Sequence, residues 1–186
     1  MMNENDDLLI EIMKWDILIN ENEEFLEIAF FKIFVKFENF IIEMIIKYAI
    51  GQESSKEYRP NRRLNFEDAK HLKDTLNTNY IDVSEKTEKL VSQIFDDSNP
   101  FSFFFSSEDS SFYNQLKCVR NFIAHESPES KEKYIKKALF NQPFIEPNEY
   151  LKKKYQNASV KSTYTKFIEL VTSYSDMILN MNQYTS

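Results

Sequence analysis

Residues 25–50 read FLEIAFFKIFVKFENFIIEMIIKYAI and form the most apolar stretch of the chain. On a helical wheel of about 100° per residue, five of the polar side chains in this stretch share one narrow stripe. They are Lys32, Lys36, Asn39, Glu43 and Lys47. The pattern predicts one long helix over residues 23–50, about 42 Å long at 1.5 Å per residue. Its charged groups argue against a membrane span, and Gly51 is expected to end it.

The composition of the whole chain favours helices. The chain has 186 residues, of which 42% are hydrophobic and one is glycine. A single glycine cannot build a phosphate-binding loop, a dinucleotide fingerprint or a nucleophile elbow, because each of these needs several. A sandwich or barrel would also need turn residues at regular spacing. We therefore predict an all-α fold in a single domain over residues 1–186, with a four-helix up-down bundle as its core and additional short helices.

Apolar periodicity and capping residues predict seven further helical segments. They cover residues 6–19, 66–77, 83–96, 112–125, 128–140, 150–155 and 162–181. Asn22 is expected to cap the long helix, and Asp82 and Glu85 have the spacing of a capping box. Residues 98–111 mix serines with four phenylalanines and are expected to form a loop. Its apolar side chains should pack on a helix pair or on a partner.

The charges of the chain are unevenly distributed. Residues 1–111 carry 12 basic and 23 acidic side chains, whereas residues 112–186 carry 11 basic and 7 acidic ones. An anionic ligand is therefore expected to bind the second segment. Cys118 is the only cysteine and cannot form an intramolecular disulfide, and the first residues show no charged start followed by an apolar run. These features predict a cytoplasmic protein.

The sequence offers few metal ligands. It contains two histidines, His71 and His125, and one cysteine, which are too few for a histidine-rich or thiolate zinc site. The Glu-x-x-His spacing of di-metal helix bundles does not occur in it. We predict neither a metal nor another cofactor.

The most informative segment is LKCVRNFIAHE, residues 116–126, which ends an otherwise apolar helix with Arg120, Asn121 and His125. In a straight α-helix Asn121 and His125 differ by about 40°, but Arg120 and His125 differ by about 140°. One straight helix therefore does not aim Arg120 and His125 at the same atom. A bend near His125 would bring them together, and so would two copies of the segment meeting across a twofold axis. Ordinary helix-end caps and salt bridges are the alternative role for these side chains.

The segment Arg-Asn-Phe-Ile-Ala-His, residues 120–125, resembles the RxxxxH motif of HEPN domains in its Arg-Asn-x-x-x-His form. Other parts of the chain are similar to the stand-alone HEPN group called RiboL-PSP or MAE-type. They are residues 26–41, the glycine and basic connector that follow them, residues 80–83 and the phenylalanine-rich segment. The resemblance covers most of residues 20–180. It is most specific at residues 120–125 and around Glu38.

The resemblance implies a four-helix core, a homodimer with two facing motifs, and metal-independent endoribonuclease activity in toxin–antitoxin or antiviral defence systems. An antitoxin protein is then a candidate partner. HEPN toxins paired with nucleotidyltransferase antitoxins often carry a tyrosine two residues after the histidine, where this chain has Ser127. That difference favours another kind of antitoxin, or none.

The side chains of the motif suit RNA cleavage. The imidazole of His125 can accept the proton of a ribose 2′-OH, and the guanidinium of Arg120 can neutralise charge on the attacked phosphate. Asn121 is the third candidate catalytic residue, because it is part of the motif. Two other functions stay open: a non-catalytic HEPN-like module that binds a nucleotide or a protein, and an all-helical assembly protein without a ligand.

Glu38 is the fourth candidate catalytic residue. It falls at about 200° on the wheel, on the apolar face of the long helix, where an unpaired carboxylate is costly. It therefore needs a partner. One interpretation is a structural salt bridge or hydrogen bond to another helix, and the other is pairing with Arg120 or orientation of His125.

The connector after the long helix contains candidate RNA-binding residues. Arg59, Arg62 and Arg63 could contact phosphates, and Tyr58 could stack on a base. The alternative is that the arginines form a solvated surface and that Tyr58 packs on the bundle.

Overall fold

The computed structural model describes residues 2–75, 85–107, 109–154 and 160–184. Over these residues the chain forms nine α-helices, two short 3₁₀-helices and no strand, so the predicted all-α fold is confirmed. The α-helices are α1 (Asp6–Glu21), α2 (Leu26–Ala49), α3 (Ala69–Thr75), α4 (Glu85–Ile94), α5 (Pro100–Ser106), α6 (Asp109–His125), α7 (Pro128–Lys137), α8 (Pro147–Lys152) and α9 (Thr163–Leu179). The 3₁₀-helices are Glu23–Phe25 and Met181–Gln183. The four-helix up-down arrangement stays a prediction.

The long helix is present, but its first predicted turn, Glu23–Phe25, is a 3₁₀-helix, and α2 begins three residues later than predicted, at Leu26. Asn22 precedes the 3₁₀-turn that leads into α2, and its side chain accepts the N–H of Glu24 at 2.9 Å. Gly51 follows α2 with φ +85° and ends it. A Cβ added at this position would lie 2.7 Å from a guanidinium nitrogen of Arg62. The backbone angle therefore favours glycine here, and a larger residue would also displace the Arg62 guanidinium.

The phenylalanine-rich segment is a helix, not the predicted loop. Asn99 caps α5 by accepting the N–H of Ser102 at 2.8 Å, and Pro100 occupies the start of the helix. Phe101 and Phe104 are buried, whereas Phe103 is 49% exposed. The Asn-Pro start favours a helix more strongly than the neighbouring serines favour a loop.

Several other helix limits differ from the predicted ones. Helix α6 begins three residues earlier than predicted, at Asp109, and α3 begins three residues later, at Ala69. Helix α8 also begins three residues early, at Pro147. Helix α7 ends at Lys137, because Phe140 and Asn141 adopt φ values of +53° and +60°. The predicted capping box at residues 82 and 85 lies partly outside the described residues.

The chain divides into two compact units, each assembled from separate segments. Unit 1 consists of Met1–Leu8, Lys36–Ser107 and Ser173–Ser186. Unit 2 consists of Leu9–Val35 and Glu108–Thr172. The prediction of one domain over residues 1–186 stays a prediction. In the described part of the chain, no helix combines the length and the apolarity that a membrane crossing requires.

Unit 1 joins the second half of α2 to the last turns of α9. The buried Tyr48 donates its hydroxyl to the carbonyl of Ile178 at 2.6 Å. Ser54, just beyond α2, donates its hydroxyl to the carbonyl of Leu179 at 2.7 Å. These bonds satisfy carbonyl groups at the C-terminal end of α9, where a helix has no intrahelical donors left.

Unit 2 is built around aromatic rings of α2, α6 and α9. The ring of Phe34 is stacked on Tyr113, with centroids 5.2 Å apart, and on Phe167 at 5.9 Å. Phe30 packs edge-on against Phe167 at 4.9 Å. Phe34 of α2 thus contacts Tyr113 of α6 and Phe167 of α9, and the first of these contacts holds α6 against the first half of α2. Helix α6 carries the Arg120–His125 motif.

Glu4 fastens the N-terminal segment of unit 1. Its carboxylate accepts hydrogen bonds from Lys47 Nζ at 2.5 Å, from the Ser55 hydroxyl at 2.6 Å and from the Ser55 N–H at 2.9 Å. Burial raises the pKa of the Glu4 carboxyl, but these bonds outweigh it and lower the pKa from 4.5 to about 2. The bonds favour the ionised group, so their contribution to stability depends on pH.

We expect Glu4→Gln to reduce the free energy of unfolding at pH 7 by about 1 to 2 kcal/mol. Because the folded pKa is the lower one, the stabilisation is complete above pH 4.5 and is lost as the pH falls towards 2. Urea unfolding should therefore show a difference from the wild type that shrinks between pH 7 and about pH 3. Glu53→Gln, at an exposed position, is the control. An equal difference at both pH values would contradict the assignment.

Candidate active site

The Arg120–His125 motif occupies the last two turns of α6 in unit 2. The helix continues without a break to His125, since the N–H of Glu126 donates to the carbonyl of Phe122 at 2.8 Å. Glu126 then adopts φ +45° and ends the helix. The residues from Arg120 to His125 are therefore helical without interruption. These two residues are therefore separated by about 140° around the axis and by about 7.5 Å along it.

Aromatic packing holds the end of α6 against α7. Phe122 stacks on Tyr134 with centroids 5.4 Å apart and planes 8° apart. Phe144 packs edge-on against both rings, at 5.8 Å from Phe122 and 6.1 Å from Tyr134. The Tyr134 hydroxyl donates to the carbonyl of Ile145 at 3.2 Å. The exposed imidazole of His125 thus lies at the end of a helix that is packed against α7.

The start of α7 is capped as the Ser127–Pro128 pair predicts. The Ser127 hydroxyl accepts the N–H of Ser130 at 3.2 Å, and the Ser130 hydroxyl accepts the N–H of Ser127 at 3.1 Å. This reciprocal capping box leaves only Glu126 and Ser127 between the two helices. The N3 position of this capping box, Ser130, is a serine where glutamate or glutamine is usual. The sequence pattern therefore does not indicate the bond from the Ser127 N–H.

Arg120 lies against the aromatic core of unit 2. Its guanidinium carbon is 5.3 Å from the centroid of the Phe34 ring, and its Nε is buried. A cation at this distance is attracted by the face of the ring. Phe34 therefore helps to set the position of the Arg120 side chain. Sequence reasoning did not find this role, because Phe34 looks like any other core residue of the long helix.

Asn121 and His125 lie on one face of α6. Lys117, four residues before Asn121, shares that face, since residues four apart overlie one another along a helix. Asn121 and Lys117 are half-buried, and His125 is exposed. This face presents an amide, an imidazole and an ammonium group in a row.

The charges of three lysines act on Cys118, which follows Lys117 on α6. Burial raises the pKa of the Cys118 thiol, while the charges of Lys137, Lys133 and Lys117 act in the opposite direction. Lys133 and Lys137 are exposed on α7, and Lys133 pairs with Glu129 at 2.7 Å. We call Lys117, Lys133 and Lys137 the lysine cluster. Sequence reasoning missed it, although the net positive charge of residues 112–186 pointed to this part of the chain.

Carboxylates lie beyond His125 at the start of α2 and α8. Burial raises the pKa of the half-buried Glu27, and the negative charges of Glu146 and Glu126 raise it further. The N–H of Asn148 donates to the Glu27 carboxylate and lowers the pKa. On α6 and just after it, the motif is thus preceded by Lys117 and followed by Glu126, two charges of opposite sign. In the described part of the chain, no three His, Cys, Asp or Glu side chains are grouped so as to hold a metal ion.

The three predicted RNA-binding arginines belong to unit 1, where they bind carbonyl oxygens near helix ends. Each donates to a main-chain carbonyl at 2.9 Å: Arg59 to Gly51, Arg62 to Ala49 and Arg63 to Ser92. Arg63 also pairs with Asp97 at 2.8 Å. Cations are favourable at the C-terminal end of a helix, so these contacts have a structural function.

Tyr58 does not present its ring to a base. It is 7% exposed and packs edge-on against Tyr48, with centroids 5.9 Å apart. Burial raises the pKa of Tyr58 to about 12. The structure therefore corrects the prediction of base stacking and supports the alternative, packing on the helices of unit 1.

Glu38 lies on α2 within unit 1 and is half-buried, where the wheel predicts a buried position. The buried side chains of α2 centre at about 100° on the wheel, so a residue at about 200° lies at the edge of the buried face. Its pairing with Arg120, or orientation of His125, stays a prediction. The polar stripe of α2 is confirmed, since none of its five residues is buried.

Comparison with known proteins adds no assignment. No protein-family model, no curated protein and no solved structure matches this chain.

Proposed function

We propose that this chain is a metal-independent endoribonuclease that acts as a dimer, as the HEPN-like motif implies. Toxin–antitoxin or antiviral defence is the setting that the resemblance gives. The observation that carries the proposal is the unbroken α6, which ends on an exposed imidazole and holds a guanidinium, five residues earlier, against Phe34. A general base and a phosphate-binding cation are the two groups that cleavage by a 2′-OH requires.

In the proposed reaction His125 removes the proton of a ribose 2′-OH, and the 2′-oxygen attacks the adjacent phosphorus. The bond from phosphorus to the 5′-oxygen breaks, and that oxygen takes up a proton. The products are a 2′,3′-cyclic phosphate and a 5′-OH end. Arg120 offsets the charge that develops on the phosphate oxygens, and its planar guanidinium suits two of them at once.

The dimer is proposed from the geometry of α6. Arg120 and His125 lie on one uninterrupted helix, in which residues five apart point in directions about 140° apart. Two copies related by a twofold axis would place Arg120 of one chain beside His125 of the other. Each dimer would then contain two equivalent sites.

The lysine cluster is the proposed contact for the RNA backbone. Lys117 shares the face of Asn121 and His125, and Lys133 and Lys137 extend the positive charge along α7. Phosphate contacts of this kind supply affinity without reading sequence. Arg59, Arg62 and Arg63, the other predicted phosphate contacts, donate to main-chain carbonyls in unit 1.

One observation favours the second candidate, a non-catalytic module that binds a nucleotide or protein. Glu126, next to His125, and the nearby Glu27 and Glu146 form an acidic side that would repel a long RNA. A small ligand or a protein with a basic patch would avoid this repulsion. The two functions differ in whether RNA is cleaved.

Product analysis distinguishes them. We expect purified protein incubated with transfer RNA or ribosomal RNA in EDTA to produce fragments with 2′,3′-cyclic phosphate and 5′-OH ends, because the mechanism needs no metal-bound water. Mass spectrometry identifies the first end, and labelling by polynucleotide kinase without prior phosphatase treatment identifies the second. Fragments with 3′-OH ends, or cleavage that EDTA abolishes, would refute the mechanism. Binding without cleavage would support the second function.

The contribution of the lysine cluster is tested by RNA binding in the His125→Ala background. We expect Lys117→Gln/Lys133→Gln/Lys137→Gln to weaken binding at least about tenfold and to reduce its dependence on salt. Arg59→Gln/Arg63→Gln is the matched control and should change the affinity less than about threefold. The reverse order of effects would restore the original assignment of the arginines.

A further inference from the structure

Helix α1 has two apolar faces. Ile12 and Trp15 lie on the face that is buried. On the opposite face Ile10, Met13 and Ile17 are 55%, 64% and 61% exposed. Their spacing of three and four residues places them in one continuous stripe. Single exposed apolar residues are common, but a stripe of three on one helix face is typical of a binding surface.

The surroundings of this stripe are acidic. Residues 9–28 of unit 2 carry six acidic side chains and one basic side chain. The acidic ones are Glu11, Asp16, Glu21, Glu23, Glu24 and Glu27. The basic one, Lys14, pairs with Glu11 at 3.6 Å and lies 5.1 Å from the centroid of the Trp15 ring. Glu23 pairs with Lys152 at 2.6 Å, so the negative charge that α1 itself carries beside the stripe comes from Asp16 and Glu21.

The C-terminal end of α1 also favours the binding of a positively charged group. The last turn of α1 contains no basic residue and ends on the exposed Glu21. A carboxylate at the C-terminal end of a helix opposes the helix dipole, so a positive group brought there from outside is favourable. Pairing α1 with α1 of a second copy would instead bring like charges together, which is unfavourable.

We propose that the outer face of α1 binds a basic amphipathic helix of a partner protein. The apolar side of that helix would cover Ile10, Met13 and Ile17, and its lysines or arginines would face Asp16 and Glu21. This arrangement buries the stripe and neutralises its acidic border at the same time. The surface does not involve the Arg120–His125 motif, so it is independent of the proposed ribonuclease activity.

The test uses a synthetic helical peptide with leucines on one face and lysines on the other, and a matched peptide in which glutamates replace the lysines. Isothermal titration calorimetry with the full chain should show binding of the lysine peptide that weakens from low salt to half-molar salt. Binding should fall at least tenfold for Ile10→Gln/Met13→Gln/Ile17→Gln and less for Glu21→Gln. Val160→Gln is the control, because Val160 is 88% exposed in the same unit.

Three results would overturn the proposal. The first is equal binding of both peptides, or no binding of either. The second is unchanged binding by the triple variant, provided that its circular dichroism spectrum and melting temperature match those of the wild type. The third is a wild-type dimer, measured by light scattering, that the triple variant converts to a monomer, because a second copy would then cover the stripe.

Discussion

His125→Ala is expected to reduce RNA cleavage by about a thousandfold, because a positioned general base contributes a factor of this order. The imidazole is exposed at the last position of α6 and is not part of the core. The variant should therefore retain the melting temperature of the wild type. Single-turnover cleavage of a defined RNA, measured in EDTA, gives the rate.

Two companion measurements make the loss of cleavage specific. His71→Ala removes the other histidine, which lies on α3 in unit 1, and should leave the rate unchanged. The RNA affinity of His125→Ala should stay within about threefold of the wild type, since a base that acts in the chemical step adds little to ground-state binding. A His125→Ala protein that cleaves RNA at the normal rate would exclude His125 as the base.

A heterodimer of one Arg120→Ala chain and one His125→Ala chain is expected to have about half of the wild-type activity. In a site built from Arg120 of one chain and His125 of the other, this heterodimer has one site with both residues and one with neither. Coexpression with two different affinity tags isolates the heterodimer from the inactive homodimers. Its cleavage rate, compared with that of doubly tagged wild type, gives the result.

A second heterodimer carries the same two substitutions in one chain. Wild type paired with Arg120→Ala/His125→Ala should be inactive, because each composite site then lacks one residue. If Arg120 and His125 of the same chain act together, the outcomes are exchanged and this second heterodimer retains about half the activity. Inactivity of both heterodimers would mean that each site needs all four side chains. A monomer in solution would remove the basis of the composite site.

Local signals in the sequence predicted much of the fold. The apolar run of residues 25–50, with Asn22 before it and Gly51 after it, gave the long helix and both of its ends, because each depends on a few neighbouring residues. The serines around Phe101 and Phe104 led to a loop being predicted where α5 forms. The competing signal, Asn99 followed by Pro100, was also local and was the stronger one.

The candidate site was harder to predict than the fold. Residues 120–125 stand out as a motif, but the partners of their side chains come from distant parts of the chain, as Phe34 does for Arg120. A cluster of arginines looks the same in sequence whether it binds RNA or main-chain carbonyls. Arg62 does the latter at Ala49, a contact fixed by how the connector folds back on α2. Charge counting pointed to residues 112–186 but could not select three lysines among ten.

The connection between α6 and α7 is only two residues long, Glu126 and Ser127. A connection this short leaves few backbone conformations, so the backbone positions of the α7 lysines are restrained relative to the end of α6. If these lysines bind phosphates and His125 is the general base, the helix pair sets the distance between the bound phosphates and the bond that is cleaved. Cleavage would then occur at a set number of nucleotides from the phosphates that the lysines bind. This spacing would not require a loop to close over the RNA strand.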